Sequence, residues 1–172
     1  MQRTTIADYF CWNDQPLVMG VLRSVGVGAF VATSLLLLSA LLFALIGSAN
    51  MGALAGAKIF DSGWIATSVA AIIWAPIWET LIAQFIPVSL LMHLRVRLEI
   101  AVLISATVFA AGHVAYGGGI GQGIVTFSAG LLFATLFAAN ARHGLGRASL
   151  FTGTAHATNN ALLIAVSFGL SI

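Results

Sequence analysis

The sequence predicts an all-α fold, a polytopic helical bundle with about five transmembrane helices in one domain spanning residues 1–172. Composition is the first reason. Of 172 residues, 60% are hydrophobic and only 7% are charged, against roughly 25% charged in ordinary soluble domains. Such a chain cannot coat a water-soluble globule. The second reason is pattern: long apolar runs alternate with short polar turns, and the turns hold most of the arginines. The third is cysteine usage. A single cysteine, Cys11, excludes an intrachain disulfide and any cysteine-based metal cluster.

The elements follow in order. Residues 1–19 contain Asp8, Trp12, Asn13, Asp14 and Pro16 and lack a clean apolar core, so they do not read as a signal peptide. Residues 3–18 are expected to form a short interfacial helix, with Tyr9, Phe10 and Trp12 at headgroup level. A span needs about 20 predominantly apolar residues. The predicted spans are 21–47, 64–94, 98–116, 124–140 and 149–170. The second is long enough to bend, and Pro76 and Pro87 supply the places. The glycine-rich stretch 117–123 lacks the Gly-Lys-Ser/Thr of a phosphate loop and reads as a flexible turn or lid. No internal repeat appears.

Six arginines fix an expected orientation. Arg3 and Arg23 precede or open span one, Arg95 and Arg97 separate spans two and three, and Arg142 and Arg147 separate spans four and five. With five spans, a cytoplasmic N-terminus and an extracytoplasmic C-terminus put all six on the cytoplasmic side and Lys58 alone on the other. The expected location is a bacterial or archaeal plasma membrane, with the lipid bilayer as solvent. The small basic excess reflects this loop placement. No basic run points to nucleic acid.

Polar residues inside the spans carry the functional expectation. Glu79 is the sole acid within the apolar stretch 64–94. A carboxylate at membrane depth costs on the order of 2–3 kcal/mol on insertion scales, so it needs a partner or a purpose. His113 and His156 occupy two further spans. Positions i and i+4 share a helix face. Phe109 therefore packs beside His113 and limits its ring orientation. His156, Asn160 and Thr152 form one stripe, and Asn159 reaches the same face. Taken singly, each histidine reads as interhelical packing and Asn160 as a routine interhelical donor. Taken together with Glu79, they read as a polar intramembrane site.

Three clusters, Glu79-Thr80-Leu-Ile-Ala-Gln84 after Ala75-Pro76, Phe109-Ala-Ala-Gly-His113, and His156-Ala-Thr-Asn159-Asn160, resemble a known family. The pattern is similar to the CPBP group of CAAX prenyl proteases and bacteriocin-processing or bacteriocin-immunity proteins. That family carries EExxxR, FxxxH and HxxxN on successive membrane helices. The likeness covers residues 64–170. It departs at the first motif, where Thr80 replaces the second glutamate and Gln84 the arginine. A neutral Thr80–Gln84 hydrogen bond is the expected substitute for the acid–arginine pair.

The resemblance implies an intramembrane endopeptidase that cleaves a peptide or single-span membrane protein. It implies that Glu79 and His113 activate a water while His156 and Asn160 stabilise the oxyanion, with Thr80, Gln84, Phe109 and Asn159 in support. No cofactor is implied. The alternatives are a zinc-dependent protease using Glu79, His113 and His156, weakened by the lack of an HExxH sequence, and a non-catalytic immunity or scaffold protein that binds a partner. A small transporter with Glu79 as a proton relay ranks below both.

Overall fold

A computed structural model describes residues 10–12, 15–52, 63–142 and 144–169. Five long helices run up and down: α1 (Leu17–Ile46), α2 (Trp64–His93), α3 (Leu98–Ala115), α4 (Ile120–Ala141) and α5 (Leu145–Gly169). A short helical turn, Ser48–Met51, follows α1. The described residues contain no β-strand beyond one isolated bridge between Gly52 and Gly118. The expected all-α bundle is thus the observed fold, and this is an integral membrane protein.

Among the described residues four helices, α1 to α4, are long and apolar enough to cross a membrane. The fifth expected span is the one that this apolarity does not single out. The helix expected at 149–170 is present as α5 and is 25 residues long. Its middle carries His156, Thr158, Asn159 and Asn160, which lowers its mean hydropathy. The bundle hides that polarity: Thr152, His156 and Asn159 are buried, while Leu22, Phe30, Leu37, Trp64, Trp74 and Ile77 are exposed on the outside. Polar-in, apolar-out is the arrangement a hydrocarbon solvent selects.

Small residues set the helix spacing. Gly20, Ser24, Gly28 and Ala32 are all buried on one face of α1, a small-xxx-small stripe that lets two backbones approach. They meet α5. A β-carbon on Gly28 would run into the Ala155 carbonyl oxygen. At the α3–α4 contact, Gly130 lies against the Ala106 backbone. α4 is the central helix, and Phe133, Ala134, Leu136, Phe137 and Ala138 are fully buried along it.

α2 is where proline shapes the backbone. It holds two π-helical turns, Ala70–Trp74 and Thr80–Phe85, the first just before Pro76 and the second just before Pro87. Proline has no N–H and frees a carbonyl one turn earlier. Carbonyls in both turns accept from side chains on neighbouring helices. The Ser105 hydroxyl donates to the Ala83 carbonyl at 2.5 Å, within the second turn. The Asn160 amide donates to the Ala71 carbonyl at 2.8 Å. Ala71 precedes Pro76 by five residues, the π-helical spacing, and the adjacent Ala75 N–H does donate to Ala70 across that spacing. The predicted bends are therefore register shifts pinned to α3 and α5.

The N-terminal segment departs from the interfacial expectation. Residues 3–9 lie outside the described residues. Trp12 is 5% exposed and docks into the bundle against Phe151, with ring centroids 5.8 Å apart. Its N–H donates to Asn140 Oδ1, and the Asn140 amide donates to the Phe10 and Leu136 carbonyls. Asn140, fully buried, thus anchors the segment before α1. A lone asparagine at the end of a span gives no sequence sign of this, because its partners are main-chain groups about 130 residues away.

Candidate intramembrane site

The site is assembled from α2, α3, α4 and α5. Glu79 sits fourteen residues before the end of α2 and His113 fifteen residues after the start of α3. Each is thus about 21–23 Å of helix from the shared 94–97 turn. The two groups reach the same level because the helices form an antiparallel hairpin. Glu79 Oε2 lies 3.4 Å from His156 Nε2 and 3.9 Å from His113 Nε2. The side chains of Glu79, His113 and His156 are 34%, 18% and 2% exposed, so accessibility falls from the carboxylate to the inner imidazole.

Each ring is held by named contacts. His113 Nδ1 lies 2.9 Å from the Phe109 carbonyl. A carbonyl only accepts, so Nδ1 is the donor, and a neutral ring then carries its lone pair on Nε2, facing Glu79. Phe109 also packs on the ring at 4.6 Å between centroids, as the i,i+4 spacing predicts. His156 stacks on Phe133 at 4.7 Å and 26°, and meets Phe109 edge-on at 5.5 Å. Phe133 is the residue that sequence reasoning missed. An aromatic inside a span is core by default, and nothing in the chain reveals which helix it faces.

The main-chain cap of α3 fixes the height of His113. The Gly118 N–H donates to the His113 carbonyl and the Gly117 N–H to the Val114 carbonyl, with Gly117 at φ +105°. This is a Schellman cap. The Gly119 N–H then donates to the Met51 carbonyl at 3.2 Å. A β-carbon on Gly119 would lie 2.5 Å from the Asn50 carbonyl oxygen, so glycine is required there. The turn expected over 117–123 is shorter, since α4 already begins at Ile120. It is a tied cap rather than a lid.

The remaining expected residues divide into two groups. Asn160 and Asn159 line the same cavity as the triad. Asn160 is committed on both sides: its amide donates to Ala71, and its Oδ1 accepts from Asn159 Nδ2 at 3.0 Å. The bland sequence reading, an interhelical donor, is thus part of its role. Thr80 and Gln84 are buried outside the lining of that cavity. The expected Thr80–Gln84 hydrogen bond does not form. Thr80 Oγ1 and both Gln84 amide atoms lack a hydrogen-bond partner among the described residues, as do Thr152 Oγ1 and His156 Nδ1. The π-helical turn Thr80–Phe85 that carries both side chains departs from the regular i,i+4 geometry assumed for their pairing.

The cavity holds about 500 Å³, within the usual range for a small-ligand or peptide site. Glu79, His113 and His156 line it together with Tyr116, Gln122 and Thr126. Leu35, Leu36, Leu163 and Ile164 supply apolar lining, and Ala70, Ala71, Ala75 and Ala129 supply small side chains. Among the described residues no three His, Cys, Asp or Glu side chains meet the geometry of a metal site. No protein-family model, curated protein or solved structure matches this chain.

Proposed function

We propose that the protein is an intramembrane endopeptidase in which Glu79 is the general base. The observation that carries this reading is the convergence of one carboxylate and two imidazoles from three helices, 3.4 and 3.9 Å apart, in a cavity of an otherwise apolar bundle. Buried ionisable groups at membrane depth are functional by default. The 3.9 Å gap to His113 exceeds a hydrogen bond, and two lone pairs face each other across it. A water donating one proton to each side resolves that opposition and sits where a nucleophile is needed.

Glu79 takes a proton from this water, and the oxygen adds to the scissile carbonyl. His156 Nε2–H and the second amide proton of Asn160 stabilise the oxyanion. As the C–N bond breaks, the proton on Glu79 passes to the leaving amine. One water is consumed and two termini form. The apolar walls suit an extended segment of a membrane peptide or single-span protein. The arginine-bearing turns Arg95–Arg97 and Arg142–Arg147 share one end of the bundle, which the positive-inside rule assigns to the cytoplasm.

The test is cleavage of a candidate single-span substrate in liposomes. Glu79→Gln keeps the side-chain volume, so it is expected to remain folded and lose cleavage. His113→Ala is expected to be comparably inactive. Full activity in Glu79→Gln ends the glutamate-base reading. Loss of wild-type activity with a strong chelator, restored by zinc, transfers the site to a metalloprotease mechanism. One observation favours a second reading, a non-catalytic binding protein: Thr80 and Gln84, where the family it resembles carries charge, are buried without hydrogen-bond partners among the described residues. Partner capture without cleavage by the wild type is its signature.

A further inference from the structure

A second cavity of about 530 Å³, which shares no lining residue with the Glu79 cavity, has Arg23 in its wall. It runs along one face of α1, lined by Arg23, Gly26, Val27, Phe30 and Val31, with Leu132 of α4 as a wall and Phe10 and Trp12 at the same end as Arg23. Positions 23, 26, 27, 30 and 31 are the i, i+3, i+4, i+7, i+8 stripe of a single helix face. The stripe extends about 12 Å along the helix axis.

We infer that this groove binds one anionic phospholipid of the surrounding bilayer, with its phosphate on Arg23 and an acyl chain laid down the groove past Gly26 toward Phe30. The polarity of the groove carries the assignment. Its lining has one charge, a guanidinium, at the end of α1 nearest the polar N-terminal segment, and apolar side chains from there inward. Arg23 is exposed and has no carboxylate partner among the described residues. A guanidinium presents a planar fork that matches phosphate oxygens. Phe10 and Trp12 wall the same end of the groove as Arg23.

Gly26 makes the room. A β-carbon there would meet nothing within 4 Å, so its absence serves no helix–helix contact and leaves the face open for a chain. A soluble anion would use Arg23 alone and leave the apolar length of the groove without a purpose. A neutral lipid would leave Arg23 without a charge partner among the described residues. An anionic amphiphile satisfies both ends.

The experiment uses the full chain purified in neutral detergent and exchanged into mixed micelles of phosphatidylglycerol and phosphatidylcholine, with retained lipid read by native mass spectrometry. Wild type is expected to retain one phosphatidylglycerol in preference to phosphatidylcholine. Arg23→Gln is expected to lower that retention about fivefold, the effect of removing one cation near a headgroup. Arg23→Lys is expected to keep most of it. Gly26→Leu puts a side chain into the groove from a β-carbon position that meets nothing within 4 Å, and is expected to remove retention of either lipid, with the thermal unfolding temperature unchanged. Equal retention of the two lipids by wild type, or unchanged phosphatidylglycerol in Arg23→Gln and Gly26→Leu, overturns the inference. Displacement by millimolar inorganic phosphate also overturns it, because the ligand is then a soluble anion.

Discussion

Asn160 is expected to be coupled to Pro76, and a double-mutant cycle measures the coupling. In α2 the Ala70 carbonyl receives the Ala75 N–H across a π-helical turn. The next carbonyl, Ala71, would receive the N–H of residue 76, which is proline. Asn160 Nδ2 fills that role at 2.8 Å. Truncating Asn160 to alanine strands a carbonyl inside the bundle. An unmade buried hydrogen bond costs about 1–3 kcal/mol, whereas interhelical hydrogen bonds measured in membranes average about 0.6 and reach about 1.7 kcal/mol. Asn160→Ala is therefore expected to destabilise by about 1–2 kcal/mol. In a Pro76→Ala background the helix regains its own donor for Ala71, and the same truncation should cost less by about 1 kcal/mol. Asn160 also loses the contact from Asn159 Nδ2, but in both backgrounds, so that loss cancels. The assay is reversible unfolding in mixed micelles for wild type, both single variants and the double. Additivity within about 0.5 kcal/mol would refute the account of the π-helical turn and return Asn160 to a purely chemical role.

Three further outcomes are expected. Gln84 buries an amide with no hydrogen-bond partner for either atom among the described residues, so the volume-conserving Gln84→Met should leave stability unchanged or raise it by about 1 kcal/mol. A loss beyond about 1 kcal/mol in thermal unfolding would mean that the amide is paired. Gly28→Ala should destabilise by about 1–3 kcal/mol, because its β-carbon would meet the Ala155 carbonyl and the Thr158 side chain; unchanged unfolding would show that α1 and α5 are not packed this closely. In a Cys11→Ser background, Val96→Cys should react with an impermeant thiol reagent only from the cytoplasmic face and Ile120→Cys only from the opposite one, and labelling of both from one face would overturn the orientation.

The amino-acid sequence by itself determined the helices and their order. Hydropathy is a local property, and a helix satisfies its own backbone hydrogen bonds, so the ends of α1, α2 and α3 are readable to within a few residues. It also marked three residues of the site. Glu79, His113 and His156 stand out because a polar group in an apolar run is anomalous wherever the chain goes, and the Phe109–His113 contact follows from helical spacing alone. Relations between helices were decided only by tertiary structure. The Gly20–Ser24–Gly28–Ala32 stripe gains its meaning only from facing α5. Phe133 under His156 and Asn140 under Trp12 are ordinary residues until distant segments reach them. The roles of Thr80, Gln84 and Asn160 also lay beyond the sequence. Two prolines shift α2 into π-helical turns, and the shift decides which carbonyls need donors and where neighbouring side chains point. Hydrogen-bond satisfaction in a solvent without water is a property of the whole bundle, so it is settled only when the helices are packed.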